Sequence, residues 1–278
     1  MRAVIAGGTG LIGRALSENL IADGHEVVIL SRSPERAKNL PDGIQVAAWD
    51  ARTANGWEHL ANGAGAIINL AGSNLAGTGF FPSRWTNERK QVIRDSRVRA
   101  GQAIVEAVEA ASEKPGVVIQ ASGVGYYGNT GDQEITEDAP PGTGFLASLA
   151  ANDWEPSTSA VEEMGVRRVI ARSAPVLDEK EGALRRLLLP HRLFVGGPMG
   201  SGKQWLPWIH LQDEARGIRF LIENEAASGP FNLIAPTPIT NAEFGKAIGR
   251  VLGRPSLIPV PGFAMKTAFG DVSSVVLE

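Results

Sequence analysis

The first half of the chain alternates short, continuous apolar runs with longer segments whose apolar residues recur at helical spacing. Residues 2–6 (RAVIA), 26–30 (EVVIL), 44–48, 66–70, 116–121 and 167–171 have the length and β-branched content of buried strands. Between them, residues 11–23 carry Leu11, Ala15, Leu16 and Leu20 along one face, and longer helical stretches are predicted over 84–111 and 145–164. Strands without polar alternation are buried on both faces, so helices must cover both sides of a parallel sheet. Right-handed crossovers then give an α/β fold, a doubly wound parallel Rossmann sheet.

The pattern changes after Pro175. Proline and glycine become frequent in LLLPHRLFVGGPMGSGKQWLPW, and shorter elements follow: a helix near 213–224, a strand near 231–234 and a helix over 241–252. Thr240 or Asn241 can cap the last of these, with Glu243 in its first turn. This predicts a Rossmann domain over 1–174 and a smaller C-terminal substrate lobe over 175–278, with the strand near 231–234 returning to the main sheet.

Composition narrows the chemistry. The 278 residues are 43% hydrophobic and 21% charged, ordinary for a globular protein with a sizeable core. Cysteine is absent, which excludes disulfides, thiolate metal sites and a cysteine nucleophile. The net charge of -3, with basic residues scattered, predicts no nucleic-acid partner and no membrane surface. MRAVIAGGTGLIG reads as a strand rather than a targeting segment, no apolar stretch has transmembrane length, and a cytoplasmic location is expected. His25, His59 and His191 are too dispersed for a metal site, so none is predicted.

The sharpest motif is Gly7-Gly8-Thr9-Gly10-Leu11-Ile12-Gly13, which leaves a predicted strand and opens a predicted helix. In that context Gly7 and Gly10 permit a turn and close backbone approach to a pyrophosphate. Gly13 lets the helix pack on the sheet, and the free N–H groups of the helix start favour an anion. Cofactor choice is read at the end of the second strand. An NAD site places a carboxylate there for the ribose hydroxyls, whereas this chain has Ser31 and Arg32, a hydroxyl and a guanidinium suited to a 2′-phosphate. Arg36 and Lys38 add positive charge nearby, so the cofactor predicted is NADP. Trp49 and Asp50 end the third strand, where a carboxylate can accept from an adenine amino group. Leu70, Ala71 and Gly72 end the fourth, where small residues let the backbone pass close to the adenine ribose.

These segments, together with Gly123-Val124-Gly125-Tyr126-Tyr127-Gly128, the run Gly196 to Trp205 (GGPMGSGKQW), Trp208-Ile209-His210 and NAEF at Asn241 to Phe244, resemble the epimerase family. That family is NAD-dependent epimerase/dehydratase-like and forms an atypical branch of the extended short-chain dehydrogenases/reductases; some members carry a cell-division-inhibitor label. The resemblance runs the length of the chain and implies a Rossmann domain, NADP and a sugar-epimerase-like lobe. Members continue further at the C-terminus, so a terminal segment is expected to be missing here.

Typical short-chain dehydrogenases use a Tyr whose proton affinity is lowered by a Lys four residues on. The segment 145–155 (FLASLAANDWE) holds neither, and Tyr126 and Tyr127 are the chain's two tyrosines. Substitute candidates are Ser122, just past the fifth strand, and Tyr127 as proton donor, with Tyr126, Lys203 and His210 as substrate contacts. Each also has a plain structural reading: packing for a loop tyrosine, a structural hydrogen bond for His210, helix capping for Asp213. Arg94 and Arg97 can reach an anionic ligand, but a solvated helix face is the stronger reading of their charged stretch. The expected function is an NADP-dependent oxidoreductase or epimerase acting on a small polar or sugar-like molecule. The alternative is a sensor that holds NADPH without turnover. A homodimer paired through helices follows only by analogy.

Overall fold

The strands β1 (Arg2–Ala6), β2 (Glu26–Ser31), β3 (Gln45–Ala48), β4 (Ala66–Asn69), β5 (Val117–Gly123) and β6 (Arg167–Ser173) fall on the predicted apolar runs. A computed structural model describes residues 1–37, 40–77, 79 and 81–277. Two short strands, β7 (Val176–Leu177) and β8 (Ile209–His210), pair apart from the main sheet, and β9 (Gly229–Leu233) joins it. The main sheet has seven strands in the order β3-β2-β1-β4-β5-β6-β9, and every pairing is parallel. The chain leaves β1 toward β2 and β3, then crosses back to β4, so the strand order reverses between β1 and β4. A crevice opens at such a switch point beyond the carboxyl ends of the strands.

The α-helices are α1 (Leu11–Ala22), α2 (Asn87–Ala110), α3 (Phe145–Leu149), α4 (Ala160–Glu163), α5 (Gly182–Arg192), α6 (Leu211–Glu223), α7 (Asn241–Leu252), α8 (Gly262–Phe269) and α9 (Ser274–Leu277) among the described residues. Strand side chains alternate between two buried layers. Ala3, Ile5, Val27 and Ile29 pack with Leu16 and Leu20 of α1 and with Leu211, Ala215, Ile218 and Leu221 of α6. Val4, Ala6, Ile67 and Val118 face Ala100, Ala103, Ile104 and Ala107 of α2. Both sheet faces are thus covered, which is why β1, β2 and β4 read as unbroken apolar runs. Helix α6 and strand β9, although they follow the proline- and glycine-rich stretch, belong to these layers rather than standing outside them.

The predicted continuous helix over 145–164 is corrected. After α3 the backbone widens into a π turn over Ala150–Trp154, tightens to a 3-10 turn over Glu155–Thr158, and only then resumes as α4. Pro156 has no N–H to give to the preceding turn, so a regular ladder cannot pass it. The irregular stretch lies close on α2: a Cβ added at Gly101 would stand 2.0 Å from the Ser157 hydroxyl oxygen. Helix α7 begins as predicted, with a capping box in which Thr240 and Glu243 bond each other's backbone N–H.

Candidate functional site

The loop from Gly7 to Gly13 sits at the switch point. Gly7 has φ +79°, and a Cβ there would stand 2.7 Å from the Leu70 carbonyl, so the loop lies directly on the exit of β4. A Cβ at Gly13 would stand 2.5 Å from Gly8 Cα, so α1 starts with its backbone against the loop itself. The N-cap, Gly10, brings no side chain to the first N–H groups of α1, and no acidic residue stands in its first turn. The positive end of the helix therefore faces the crevice with its donors uncapped, which suits an anion. Arg14 closes the loop from behind: Nη1 donates to the Thr9 carbonyl at 2.6 Å, and Nη2 pairs with Glu181 at 2.6 Å. Glu181 is the N-cap of α5, so this ion pair ties the start of α5 to the phosphate loop.

Ser31 ends β2 at the same edge, its hydroxyl oxygen accepting the Ser33 N–H at 3.2 Å. Arg32 is exposed and, among the described residues, makes no ion pair, leaving its guanidinium open to a ligand. Arg36 is held 3.8 Å from Glu35, and Lys38 lies outside the described residues. Trp49 is buried edge-on against Trp57, its indole donating to the Thr53 carbonyl at 2.8 Å. Asp50 spends its carboxylate on its own loop, accepting from the N–H groups of Arg52 and Thr53 and from the Thr53 hydroxyl. Those bonds, the Thr53 N–H foremost, hold it below the usual carboxylate range. Leu70, Ala71 and Gly72 continue β4 past the loop, and Asn69 braces the turn by accepting from the Ala71 N–H while donating to Gln120.

The two catalytic candidates meet in a buried polar chain. Ser122 donates to Glu155 Oε1 at 2.6 Å, and Arg172 donates to the same oxygen at 2.9 Å and to Oε2 at 3.0 Å. Arg172 also donates to the Tyr127 hydroxyl at 2.9 Å, and that hydroxyl donates to Asn232 at 2.8 Å. Tyr126 lies under the same guanidinium, its ring centroid 3.5 Å from Cζ. Burial alone would lower Arg172, but its bonds to Glu155 and Tyr127 reverse that and hold it above its ordinary value. The π turn and Pro156 deliver Glu155 to this point, and Arg168 donates to the Glu155 carbonyl released there. Both hydroxyls thus serve one arginine–glutamate pair, with a carboxylate positioned to accept the proton of Ser122.

Glu155 and Arg172 were not singled out by the sequence, and no local signal marks them: one follows a tryptophan in an apparently helical run, the other is the last but one residue of β6. Glu214 in α6 is likewise unannounced. It is fully buried, accepts from the Ser173 hydroxyl, leaves Oε2 without a partner, and burial pushes its carboxyl up to about 7. Its place is the first turn of α6, beside the end of β6.

Of the two residues expected to touch substrate from this region, Lys203 is exposed in a loop, and His210 is the N-cap of α6, its Nδ1 accepting the Gln212 N–H at 3.2 Å. Asp213 is exposed in the same first turn. The solvated-face reading of Arg97 is overturned: it is 6% exposed, inside α2. Among the described residues no cluster of His, Asp or Glu could hold a metal, and no helix is long and apolar enough to cross a membrane.

The sequence profile of the NAD dependent epimerase/dehydratase family matches residues 3–233. The chain is 37% identical to the epimerase family protein YfhF of Bacillus subtilis over all of its own length and 88% of that protein. It is 39% identical to the epimerase family protein MT2273 of Mycobacterium tuberculosis, over 96% of this chain and 84% of that one. Among solved structures, human epimerase family protein SDR39U1, crystallised with NADPH, superposes with a TM-score of 0.87 at 34% identity, covering 100% of this chain and 89% of that chain.

Proposed function

The chain belongs to the NAD dependent epimerase/dehydratase family, and from that premise we propose that it is an NADP(H)-binding atypical short-chain dehydrogenase/reductase, an oxidoreductase or epimerase for a small polar or sugar-like substrate. The observation that carries the reading is the uncapped, acid-free start of α1 beside a β2 end that offers Ser31 and an exposed Arg32 with no ion pair among the described residues. The human relative that carries NADPH supports the same cofactor. The backbone from Gly7 to Gly13 would hold the diphosphate, and Ser31 with Arg32 the adenosine 2′-phosphate, while Leu70 to Gly72 pass beside the ribose. When bound, the nicotinamide supplies hydride transfer. The chain's own part is to orient the reacting group near Ser122, whose proton Glu155 can accept at 2.6 Å. Residues 175–278 contribute the substrate lobe, and the reading carries with it a small-molecule partner, a cytoplasmic setting and a homodimer as the assembly.

A second reading, an NADPH sensor without turnover, is favoured by the engagement of both candidate hydroxyls. Ser122 and Tyr127 are 5% and 7% exposed and already bonded within the Arg172–Glu155 chain. Two measurements separate the cases. Arg32→Ala should weaken NADPH by about 1.5–3 kcal/mol, the worth of a charged hydrogen bond, and NADH far less; equal loss for both sinks the 2′-phosphate assignment. Turnover of NADPH with a panel of carbonyl compounds and nucleotide sugars, abolished in Ser122→Ala, supports the enzyme. Tight binding with no product across the panel supports the sensor.

A further inference from the structure

Arg97 carries a charge that no carboxylate pairs with among the described residues. The residue is 6% exposed, and the charge that acts on its guanidinium is a second arginine, Arg89. Nη1 donates to the carbonyls of Ser73 at 3.0 Å and Ile93 at 3.1 Å. Nε is buried without a partner, and Nη2 makes no hydrogen bond among the described residues. Arg89 comes to the same loop, donating to the Ser73 hydroxyl at 3.0 Å and to the Asn74 carbonyl, and its Nε is also buried and unpartnered. The Arg97 guanidinium stacks on Trp154, 4.5 Å from the ring centroid, and the indole N–H of Trp154 is a third buried donor without an acceptor.

The cluster sits at the crevice. The loop that Arg97 and Arg89 hold leaves β4 through Gly72, and a Cβ at Gly72 would stand 3.0 Å from Arg97 Cζ and 3.2 Å from Nη2. Leu70, at the start of that loop, touches Gly7 of the phosphate loop. Buried donors normally find acceptors, and a buried charge normally finds a counter-charge. Among the described residues no acid pairs with these guanidinium and indole donors: Asp95 and Asp153 are paired with Arg99 and Arg94, and Glu155 with Arg172.

We propose that Arg97, with Arg89 and the Trp154 indole, forms an anion subsite beside the cofactor crevice that receives a carboxylate or phosphate group of the substrate. The planar fork of arginine suits either group. The assignment rests on the proposed cofactor site only in giving the anion to substrate rather than to the dinucleotide. The indole N–H resonance of Trp154, assigned with Trp154→Phe, reports on the site in protein mixed with excess NADPH. Inorganic phosphate and acetate are titrated separately at constant ionic strength, with chloride as the control. At least one of the two should move the resonance saturably, and which one does so names the group. Arg97→Lys should weaken that response at least tenfold, and the partly exposed Arg89→Gln severalfold, with NADPH affinity within threefold of wild type. Neither anion exceeding chloride, or both variants responding as wild type does, overturns the proposal. So does a loss of NADPH affinity in the variants that matches any loss of the anion response. Failure of NADPH to bind wild-type protein would count against the cofactor assignment, and the anion titration then still decides this one.

Discussion

Glu214 shows how one side chain can set a property of the whole protein. The unfolded chain gives up this proton near the usual 4.5, the folded chain near 7, because burial beside a single hydroxyl disfavours the charge. Between those pH values the folded state holds more protons than the unfolded one. The stability associated with the neutral carboxyl is therefore complete below about pH 4.5 and is lost as pH rises toward 7, by on the order of 3 kcal/mol. Glu214→Gln removes the titration. Its melting temperature should match wild type at pH 4.5 and exceed it by roughly 5–10 °C at pH 8; equal melting at both would show that Glu214 ionises freely in the fold. The sequence could not announce this residue, nor Glu155 or Arg172, and it offered Arg97 as an anion contact only behind the solvated-face reading that its burial overturns. A charged residue in a helical or strand run reads as solvated until the elements packed against it are known. The positions of Ser31, Arg32 and the glycines at strand ends were legible because they depend on a local strand-to-turn transition.

At the level of elements, the approach of α1 to its own loop is the feature most sensitive to a single atom. The methyl of Gly13→Ala would fall 2.5 Å from Gly8 Cα and 2.7 Å from its carbonyl oxygen, neither of which is the end of a flexible side chain. The helix start must shift away from the loop, with a cost of roughly 1–3 kcal/mol. Denaturant unfolding should register that loss, and NADPH affinity should fall at least tenfold because the amide donors move. Unchanged binding would mean that the diphosphate does not depend on the start of α1. Strand positions were legible from apolar runs, since parallel strands buried on both faces leave no polar alternation to confuse them. The helix over 145–164 was misread because helical spacing persists through the π turn and past Pro156, while the backbone does not.

For the molecule as a whole, the chain folds back on itself, with the strand expected near 231–234 in the main sheet and α6 beside it in the core. Helix α6 completes the layer over α1, β9 closes the sheet next to β6, and the Arg14–Glu181 pair joins the start of α5 to the phosphate loop. Segments distant in sequence therefore converge on one sheet edge, where the glycine loop, the Ser31–Arg32 pair, the Ser122–Glu155–Arg172 chain and the Arg97 cluster stand together. Titration calorimetry of the folded wild-type protein with NADPH, and in parallel with NADH, asks whether that edge is a dinucleotide site. Saturable binding of NADPH with one molecule per chain, at least about tenfold tighter than NADH, is the predicted result. No heat of binding with NADPH, or NADH bound as tightly, contradicts it.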